Sequence, residues 1–444
     1  MSSATGTRPP AEHADDELVV RHEVAEPPLT ARRRWAGAAG LLVAGLVCIL
    51  VFGLDANAGN ASFQVALAGF GPKIPNVQLP GRPACFVLGG IVVVLALVHA
   101  ARGFSRRAMR WVIAAAIACF AVSFLCWAAT GTPGNPFTLL GLLQTTIAAS
   151  AVPLVLGALG GIMCERSGVI NVAIEGQMLA GAFAGALVAS IASNGYIGII
   201  GAMVAGGLIG LLLAVFAIRY LVNQVVLGVV LNVFALGLTG FAYDALMQPN
   251  TESLNSPSVF DPIAVPLLSK IPIIGPLLFD ANIIVYLTYI LIVVVDVALF
   301  RSRWGLRTRA IGEHPLAADT VGINVRRIRY RNVILGGLIA GLGGAFLTIG
   351  AVGSFSANIS SGKGFIALAA VIFGRWSPRG AIAAALLFGF TNELQVLLSV
   401  VGTPVQIPSA FLSMLPYVAT LFAVAGLVGK VSAPAADGVP YTKE

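Results

Sequence analysis

Six amide or carboxylate side chains of this sequence lie within long apolar runs, where each polar group needs a partner or a hydrated path. They are Asn171, Glu175, Gln177, Asn232, Asn392 and Glu393. Such groups donate to and accept from hydroxyl groups and polar ring edges, so together they would suit a polar, uncharged solute. The alternative is that they only bond helix to helix. For Glu175 and Glu393 both interpretations stay open.

The stretch SGVINVAIEGQML, residues 167–179, places two of these groups four residues apart, at Asn171 and Glu175. Residues at this spacing share one face of a helix. We therefore expect a polar stripe that faces inward from the third of the span nearest the cytoplasm. Asp244 and Asp296 lie near the ends of apolar runs, where a bond between helices or an interfacial position is favoured.

A second group of polar residues lies in IGEHPLAADTVGINVRRIRYRN, residues 311–332, between two apolar runs. Pro315 is suited to the first position of a helix and Gly322 to its end, so a short helix is predicted between them. The small face of Ala317 and Ala318 would fit a groove in a partner, and Glu313 and Asp319 could meet basic groups there. The same stretch also holds His314 and four arginines.

Familiar catalytic and metal-binding patterns are missing from the sequence. It has no HExxH, no GxSxG and no phosphate-binding GxxxxGK[ST] motif. Its four histidines lie in the N-terminal tail or at the ends of apolar runs, and its five cysteines form no CxxC pair. We therefore expect neither an enzyme nor a metal site, and the cysteines are interpreted as small buried apolar residues.

The composition indicates which elements must position these groups. The chain of 444 residues is 57% hydrophobic and 10% charged, with a mean hydropathy of +0.90. Soluble domains are typically about 25% charged. Apolar runs of about 20 residues, the length that crosses a bilayer as a helix, recur along the chain. The fold class is therefore an all-α polytopic bundle of transmembrane helices.

Eleven apolar spans are predicted, and with a shorter piece the chain has 11–12 membrane segments. The piece is GFIALAAVIFG, residues 364–374, which is either a short crossing or a re-entrant half-helix buried in protein. Small residues at four-residue steps, as in Gly336, Ala340 and Gly344, predict close helix packing. The spans cover residues 36–54, 84–101, 111–129, 137–163, 169–191, 196–218, 224–247, 281–300, 332–353, 380–400 and 410–429.

Lysine and arginine are distributed unevenly over the loops between these spans. With the N-terminus in the cytoplasm and the short piece crossing, 23 of them fall inside and four outside, at Lys73, Arg82, Lys270 and Lys363. The positive-inside rule therefore places both termini in the cytoplasm. The net charge of +8 is attributed to topology and contact with anionic lipid, and no nucleic-acid partner is expected.

The same map divides the chain into four parts. Residues 1–31 are polar and are predicted to be a disordered cytoplasmic tail, with no cleavable signal peptide. Residues 32–135 hold membrane segments of unassigned role. Residues 136–430 form a core whose cytoplasmic loop is 301–331, and residues 431–444 are a second cytoplasmic tail.

Three long stretches of the core resemble the permease subunits of bacterial ABC importers, in the branch of ribose and branched-chain amino acid permeases. The similarity is greatest to the group that imports nucleosides with basic-membrane-protein-type lipoproteins. The stretches are ERSGVINVAIEGQMLAGAFAGA, GEHPLAADTVGINVRRIRYRNVILGGLIAGLGGAFLTIG and GFIALAAVIFGRWSPRGAIAAALLFGFTNEL, and they follow in family order. Residues 1–135 carry no motif of the family.

The resemblance implies roles and partners. Glu313 to Gly322 would be the coupling helix that docks on a separate ABC ATPase subunit, and GVINVAIEG and FTNEL would line or flank the solute path. ATP would bind to that partner, so no cofactor is expected on this chain. A second, different permease subunit, an extracytoplasmic solute-binding lipoprotein and a location in the bacterial cytoplasmic membrane are implied as well.

Two other classes of protein are alternatives to an ABC permease. An ion-coupled secondary transporter of a small polar solute would use Glu175 or Glu393 as the proton or sodium carrier, but it would need no coupling helix. An intramembrane enzyme would need a nucleophile or a metal set that the sequence lacks. Purine nucleosides, pyrimidine nucleosides and related sugars all present hydroxyls to the same groups, so the sequence leaves the solute open.

Overall fold

Apolar helices dominate the computed structural model, which describes residues 31–57, 59–64, 75–130, 137–401, 407–418 and 432–442. The helices are α1 Ala31–Leu46, α2 Gly81–Arg102, α3 Arg106–Ala129, α4 Leu139–Thr145, α5 Val152–Glu165, α6 Ile174–Ala192, α7 Gly195–Ala214, α8 Gln224–Ala242, α9 Thr251–Leu254, α10 Ile274–Leu278, α11 Ile283–Arg301, α12 Arg303–Glu313, α13 Pro315–Thr320, α14 Val325–Leu347, α15 Lys363–Phe373, α16 Pro378–Val401 and α17 Ser409–Leu412. The all-α fold class is confirmed.

Several of these helices contain or end in wider π-helical turns. These turns are Val47–Gly53, Thr146–Ala151, Val215–Arg219, Tyr243–Met247 and Thr348–Val352. When these turns are counted as parts of the helices they join, ten helices in the described part of the chain are long and apolar enough to cross a membrane. They coincide with the first ten predicted spans. The eleventh, 410–429, lies largely outside the described residues, as does the predicted tail 1–31 apart from its last residue.

Two helices of the core, α14 and α6, begin at other residues than predicted. α14 begins at Val325, seven residues earlier than the apolar run, so arginines occupy its first turns. α6 begins only at Ile174, because Gly168, with φ at +83°, turns the chain after α5. The prediction that Asn171 and Glu175 share a helical face is therefore wrong, since Asn171 precedes the helix.

α14 is the central helix of the core, and its small residues allow close approach on three sides. A methyl group on Gly336 would lie 2.5 Å from the carbonyl oxygen of Gly160 in α5. One on Gly337 would lie 2.6 Å from that of Gly206 in α7, and Gly344 lies against Met178 in α6. The predicted packing of small residues is confirmed, and it brings helix backbones together without lipid between them.

Burial separates the central helices from the peripheral ones. In the spans Leu139–Glu165 and Val325–Val352, 83% of the most apolar window is buried, against 28% in Ile283–Arg301. The core between them is filled by large apolar side chains that are almost fully buried, including Leu156, Leu159, Ile162, Phe346 and Phe388. Polar groups on the central helices must therefore find partners within the protein.

The short apolar piece forms α15, which crosses only part of a membrane. Its 11 residues span about 16 Å at 1.5 Å per residue, roughly half of a 30 Å hydrocarbon layer. Residues 353–362 lead into it without a regular helix, starting beside Gly350, whose carbonyl accepts a hydrogen bond from Asn282 at the start of α11. After α15, Trp376 lies against Glu165 at the end of α5. The chain thus passes between the two ends of the core as an irregular segment followed by a half-helix.

Small strands accompany the loops at the end of the core opposite to α12. β1 Asn60–Gln64 pairs antiparallel with β2 Val77–Pro80 and parallel with β3 Phe137–Thr138. β4 Ile263–Ala264 pairs antiparallel with β5 Asp280–Ala281. None of these strands was predicted, because stretches of two to five residues give too short an alternation to detect.

The described residues up to Leu54 form one compact unit together with Cys85–Phe124, and the remaining residues form another. In the first unit, Leu41, Val92, Ala96 and Ala116 build a small apolar core. Phe52 and Phe120 meet edge to face, with ring centroids 5.4 Å apart. The first unit is thus held by the same apolar packing as the second.

Candidate functional sites: an intramembrane polar cluster and a helical loop

Glu175, in the first turn of α6, binds the N-terminal end of the half-helix α15. Its Oε1 accepts hydrogen bonds from the Ser360 hydroxyl at 2.6 Å and the Gly362 amide at 2.8 Å, and its Oε2 accepts one from the Gly364 amide at 2.6 Å. The side chain is only 7% exposed. A carboxylate is favourable there because the first amides of a helix lack partners within it and its dipole attracts negative charge.

Close backbone contact accompanies these hydrogen bonds. A methyl group on Gly364 would overlap the backbone of Glu175, so only glycine fits between α15 and α6. Lys363, half-buried at the start of α15, interacts electrostatically with Glu175 and with Glu393. Lys363 therefore belongs to this cluster. Arg166, a basic residue that could pair with Glu175, instead donates to the carbonyl of Trp376 at 2.8 Å.

Asn171 and Gln177 bond to each other across the start of α6. The Asn171 amide donates to Gln177 Oε1 at 3.0 Å, and the Gln177 amide returns a bond of 3.4 Å to Asn171 Oδ1. Both side chains are fully buried, and the Asn171 amide also lies 3.4 Å from Cys164 Sγ. This pair fixes the turn between α5 and α6.

Asn232 connects α8 to the same turn. Its amide donates to the carbonyl of Val172 at 2.9 Å, and its Oδ1 accepts from the amide of Gly176 at 2.8 Å. Gly176 in turn lies against the backbone of Leu231. Both ends of the Asn232 side chain are therefore engaged with backbone groups of the α5–α6 turn and α6.

Asn392 and Glu393, on α16, are less completely enclosed. Both contact the hydroxyl of Ser150, which donates to Glu393 Oε1 at 2.5 Å and accepts from the Asn392 amide at 3.1 Å. Both side chains are half-buried, and Lys363 acts on Glu393 from α15. These contacts gather Ser150, Lys363, Asn392 and Glu393 from α15, α16 and the π-helical turn before α5.

Sequence reasoning missed the contribution of Ser150, Ser360 and Lys363 to these clusters. The high cost of polar groups in apolar surroundings applies to Ser150 and Lys363 as it does to Glu175. Asp296 was expected to bond between helices or to face the interface, and it does bond between helices: its carboxylate accepts from Arg379 of α16 at 3.0 Å.

The loop between α11 and α14 holds two helices, of which one was predicted. α13 begins at Pro315 as expected, and the chain turns at Gly322, where φ is +83°. α12, Arg303–Glu313, precedes it and was missed because its apolar residues are few. Arg309 of α12 stacks over the ring of Phe300 in α11 at 5.1 Å, which ties the loop to the membrane helix.

Ala317 and Ala318 face opposite ways, so the predicted small face for a partner is wrong for Ala318. Ala318 is buried at 4% exposure among Ile311, Val325 and Tyr441. Ala317 is exposed, and the neighbouring apolar side chains of Leu316 and Val321 are 58% and 74% exposed. Glu313, His314, Thr320 and Gly322 are exposed too, and Asp319 is half-buried.

Comparison with known proteins matches most of the core to one family and several relatives. Residues 143–425 match the permease component of the branched-chain amino acid transport system. The chain is 39% identical to the guanosine ABC transporter permease protein NupQ of Bacillus subtilis, over 69% of this chain and 98% of that protein. It is 37% identical to the nucleoside ABC transporter permease protein NupC of Lactococcus lactis, over 70% and 99%. No solved structure matches.

A third relative carries a different name. The putative glucose ABC transporter permease protein TsgC13 of Haloferax volcanii is 35% identical, over 58% of this chain and 77% of that protein. The family match begins after α1, α2 and α3, which therefore lie outside it. The match covers more than half of the sequence, and ten helices of the described residues are long and apolar enough to cross a membrane. This chain is therefore a multi-pass membrane protein of the permease family of branched-chain amino acid type, a permease subunit of an ABC importer.

Proposed function

We propose that this permease subunit carries nucleosides into the cell and that a separate ATPase subunit drives it. The observation that supports the solute is similarity over 98% and 99% of the length of two relatives named for guanosine and for nucleosides. The relative named for glucose is matched over a smaller share of its length, 77%. A secondary transporter is disfavoured, because it would need no coupling loop of the kind found between α11 and α14.

The solute path in this proposal passes the half-buried groups Ser150, Lys363, Asn392 and Glu393. One cation and one carboxylate balance each other there, so a solute with donors and acceptors but no net charge is favoured. The amide of Asn392 and the free carboxylate oxygen of Glu393 are suited to ribose hydroxyls or base edges. Asn171, Glu175, Gln177 and Asn232 flank the path and hold its helices in place.

Transmission of the ATPase cycle is assigned to the loop that contains α12 and α13. Exposed apolar side chains at Leu316 and Val321 stand among polar ones, which is a typical composition for a protein interface. The chain itself would bind no ATP and need no cofactor. The residues assigned to coupling are Glu313, His314, Pro315, Ala317, Asp319 and Gly322. Ala318 is buried and holds α13 in place through its apolar contacts.

The further partners are a second permease subunit, which would form a heterodimer with this chain, and an extracytoplasmic solute-binding lipoprotein. Both chain termini would lie in the cytoplasm of a bacterium. Thiol labelling tests this orientation in a variant without the five native cysteines. A cysteine at Ser269 should react with an impermeant reagent on intact cells, and one at Thr320 should not. The reverse pattern would overturn the orientation.

Reconstitution tests the solute. The chain, its ATPase and its second permease are placed in vesicles with the binding protein, and ATP-dependent accumulation of labelled guanosine, cytidine, glucose and leucine is compared. We expect accumulation of the nucleosides and none of leucine. Accumulation of glucose or leucine without either nucleoside would reject the nucleoside assignment and leave the permease assignment intact.

A further inference from the structure

The C-terminal residues 434–441, hereafter the C-terminal strap, fold back onto the coupling loop. The amide of Ala436 donates to the carbonyl of Gly312 at 2.8 Å, and the amide of Ala435 donates to Glu313 Oε2 at 3.1 Å. Gly312 also lies against the carbonyl of Arg166 and the side chain of Pro434. The strap thus contacts the residues that immediately precede α13.

Tyr441 of the strap packs against the buried side of α13. The side chain of Tyr441 is 5% exposed and packs with Ile311, Ala318 and Val325 in one apolar cluster. Its hydroxyl lies beside Asp319. A helix of six residues is too short to be stable alone, so α13 depends on this support for its position.

The other side of the strap encloses Arg329 of α14. This arginine is 2% exposed; its Nε donates to the carbonyl of Ser167 and its Nη1 to that of Val439, both at 3.1 Å. Gly168, with φ at +83°, leaves the space for it, since a methyl group there would lie 2.7 Å from Arg329 Nη2. Arg329 therefore joins the strap to the turn between α5 and α6.

Asp437 of the strap adds a third ionisable group, which interacts electrostatically with Arg329 and with Glu165 of α5. Glu165 accepts a hydrogen bond from the indole of Trp376, next to α15. Among the described residues, three buried atoms of these ionisable groups have no hydrogen-bond partner: Glu165 Oε1, Arg329 Nη2 and Asp437 Oδ1. Such incomplete pairing in a buried site reduces the stability of the docked strap, so that a modest displacement can release it.

We propose that the C-terminal strap positions the coupling helix, and that it passes displacements of α13 to Arg329, the α5–α6 turn and Trp376. The two groups of contacts lie on one short segment, so α13 cannot shift without moving the strap or losing it. The proposal rests on the proposed function, because only an ABC permease has an ATPase that displaces this loop. It gives the tail a role in the ratio of ATP hydrolysed to solute carried.

Two variants of the full chain test it in the reconstituted complex. Tyr441→Ala removes the aromatic ring that packs against Ala318. Ala435→Pro opens no cavity but removes the backbone amide hydrogen that Glu313 accepts. Ser432→Ala, at an exposed position before the strap, is the control. Amide hydrogen exchange of residues 311–323 and the number of ATP molecules hydrolysed per solute are measured in each.

We expect exchange of residues 311–323 to rise about tenfold or more in Tyr441→Ala, since loss of a buried aromatic side chain shifts such equilibria by at least that factor. Ala435→Pro should raise it less, and both should raise the ATP used per solute. Unchanged exchange would overturn the strap contact, and raised exchange with an unchanged ATP ratio would overturn its role in coupling. Exchange needs no solute, so a wrong nucleoside assignment would leave that result untouched.

Discussion

Glu175 and Glu393 are two carboxylates among apolar helices of this permease, and their surroundings differ. Glu175 accepts three hydrogen bonds from the start of α15 and is 7% exposed. Glu393 accepts one from Ser150 and is half-buried. Both interact with Lys363. Among the described residues, donors reach both oxygens of Glu175 but only one oxygen of Glu393, so the other can accept from a further donor.

The difference shows that burial cost alone does not identify a solute-binding group. The same cost applies to both carboxylates, and it is met by a helix N-terminus in one case and by partial exposure in the other. We therefore interpret Glu175 as a residue that fixes α15 and Glu393 as one that faces the path.

The largest effect is expected for Gly364→Ala. The new methyl group would overlap the backbone of Glu175 and force α15 away from α6. Overpacking against backbone costs about 3 kcal/mol or more, so little folded protein should reach the membrane. Gly237→Ala in α8, where the added methyl group meets nothing within 4 Å, is the control and should accumulate normally. Equal yields of both would refute the tight contact of α15 with Glu175.

Ala317→Trp should abolish uptake while insertion and folding remain normal, because Ala317 is exposed on the proposed ATPase-binding face. ATP hydrolysis by the complex should become uncoupled from transport. Ala318→Trp should instead destabilise the loop itself, since Ala318 is buried against Tyr441. Uptake assays beside detergent melting separate the two, and normal uptake by Ala317→Trp would contradict the docking face.

Glu175→Gln should lower the free energy of unfolding by about 1–3 kcal/mol. An amide nitrogen would then face either the Gly364 amide or the donors at Oε1, and one hydrogen bond would be replaced by a contact between two donors. Ser360→Ala should act in the same direction with a smaller effect. The melting temperature of the purified complex measures both, and a wild-type melting temperature in Glu175→Gln would argue against the cap.

A smaller effect is expected from pH on the C-terminal strap. Burial and the neighbouring Glu165 raise the pKa of Asp437 to about 8, and Arg329 offsets part of this rise. Because the pKa is higher in the docked state, this group stabilises docking fully at about pH 4 and loses that contribution as pH rises to about 8. Exchange of residues 311–323, corrected for intrinsic rates, should therefore quicken between pH 6 and 8.

Asp437→Asn tests the origin of that dependence. The groups that face Asp437 are Cys164 and Glu165 on α5 and Arg329 on α14. Arginine stays charged across this range, so Asp437 or Glu165 must titrate. A flat pH profile in Asp437→Asn is expected, whereas a flat profile in Glu165→Gln alone would assign the effect to Glu165.

Local and periodic signals predicted a large part of this fold. Ten spans followed from apolar length, the faces of α14 from small residues such as Gly336 and Gly344, and α13 from Pro315 and Gly322. The irregular turn before α6 was missed, because its residues are as apolar as a helix and only the φ of Gly168 reveals the break.

Long-range contacts account for what the sequence did not predict. The hydrogen-bond partners of Glu175 lie 185 or more positions away along the chain, and the hydrogen-bond partner of Glu313 lies 122 positions away. No periodicity connects such positions. The contact of α15 with α6 encloses Glu175, and the contact of α16 with Ser150 leaves Glu393 more accessible. Both contacts are tertiary, so the sequence alone could not separate the enclosed path residues from the accessible ones. The tail 431–444 holds one Tyr and two Pro, but nothing in its composition indicates which residues they contact.

Solute preference tests the account most directly. In vesicles that contain the reconstituted complex, the ratio of labelled guanosine to labelled cytidine taken up is measured for Glu393→Gln and Glu175→Gln beside the wild type. The account predicts that Glu393→Gln changes this ratio, while Glu175→Gln keeps it and lowers only the amount of stable complex. A changed ratio in Glu175→Gln with the wild-type ratio in Glu393→Gln would contradict it.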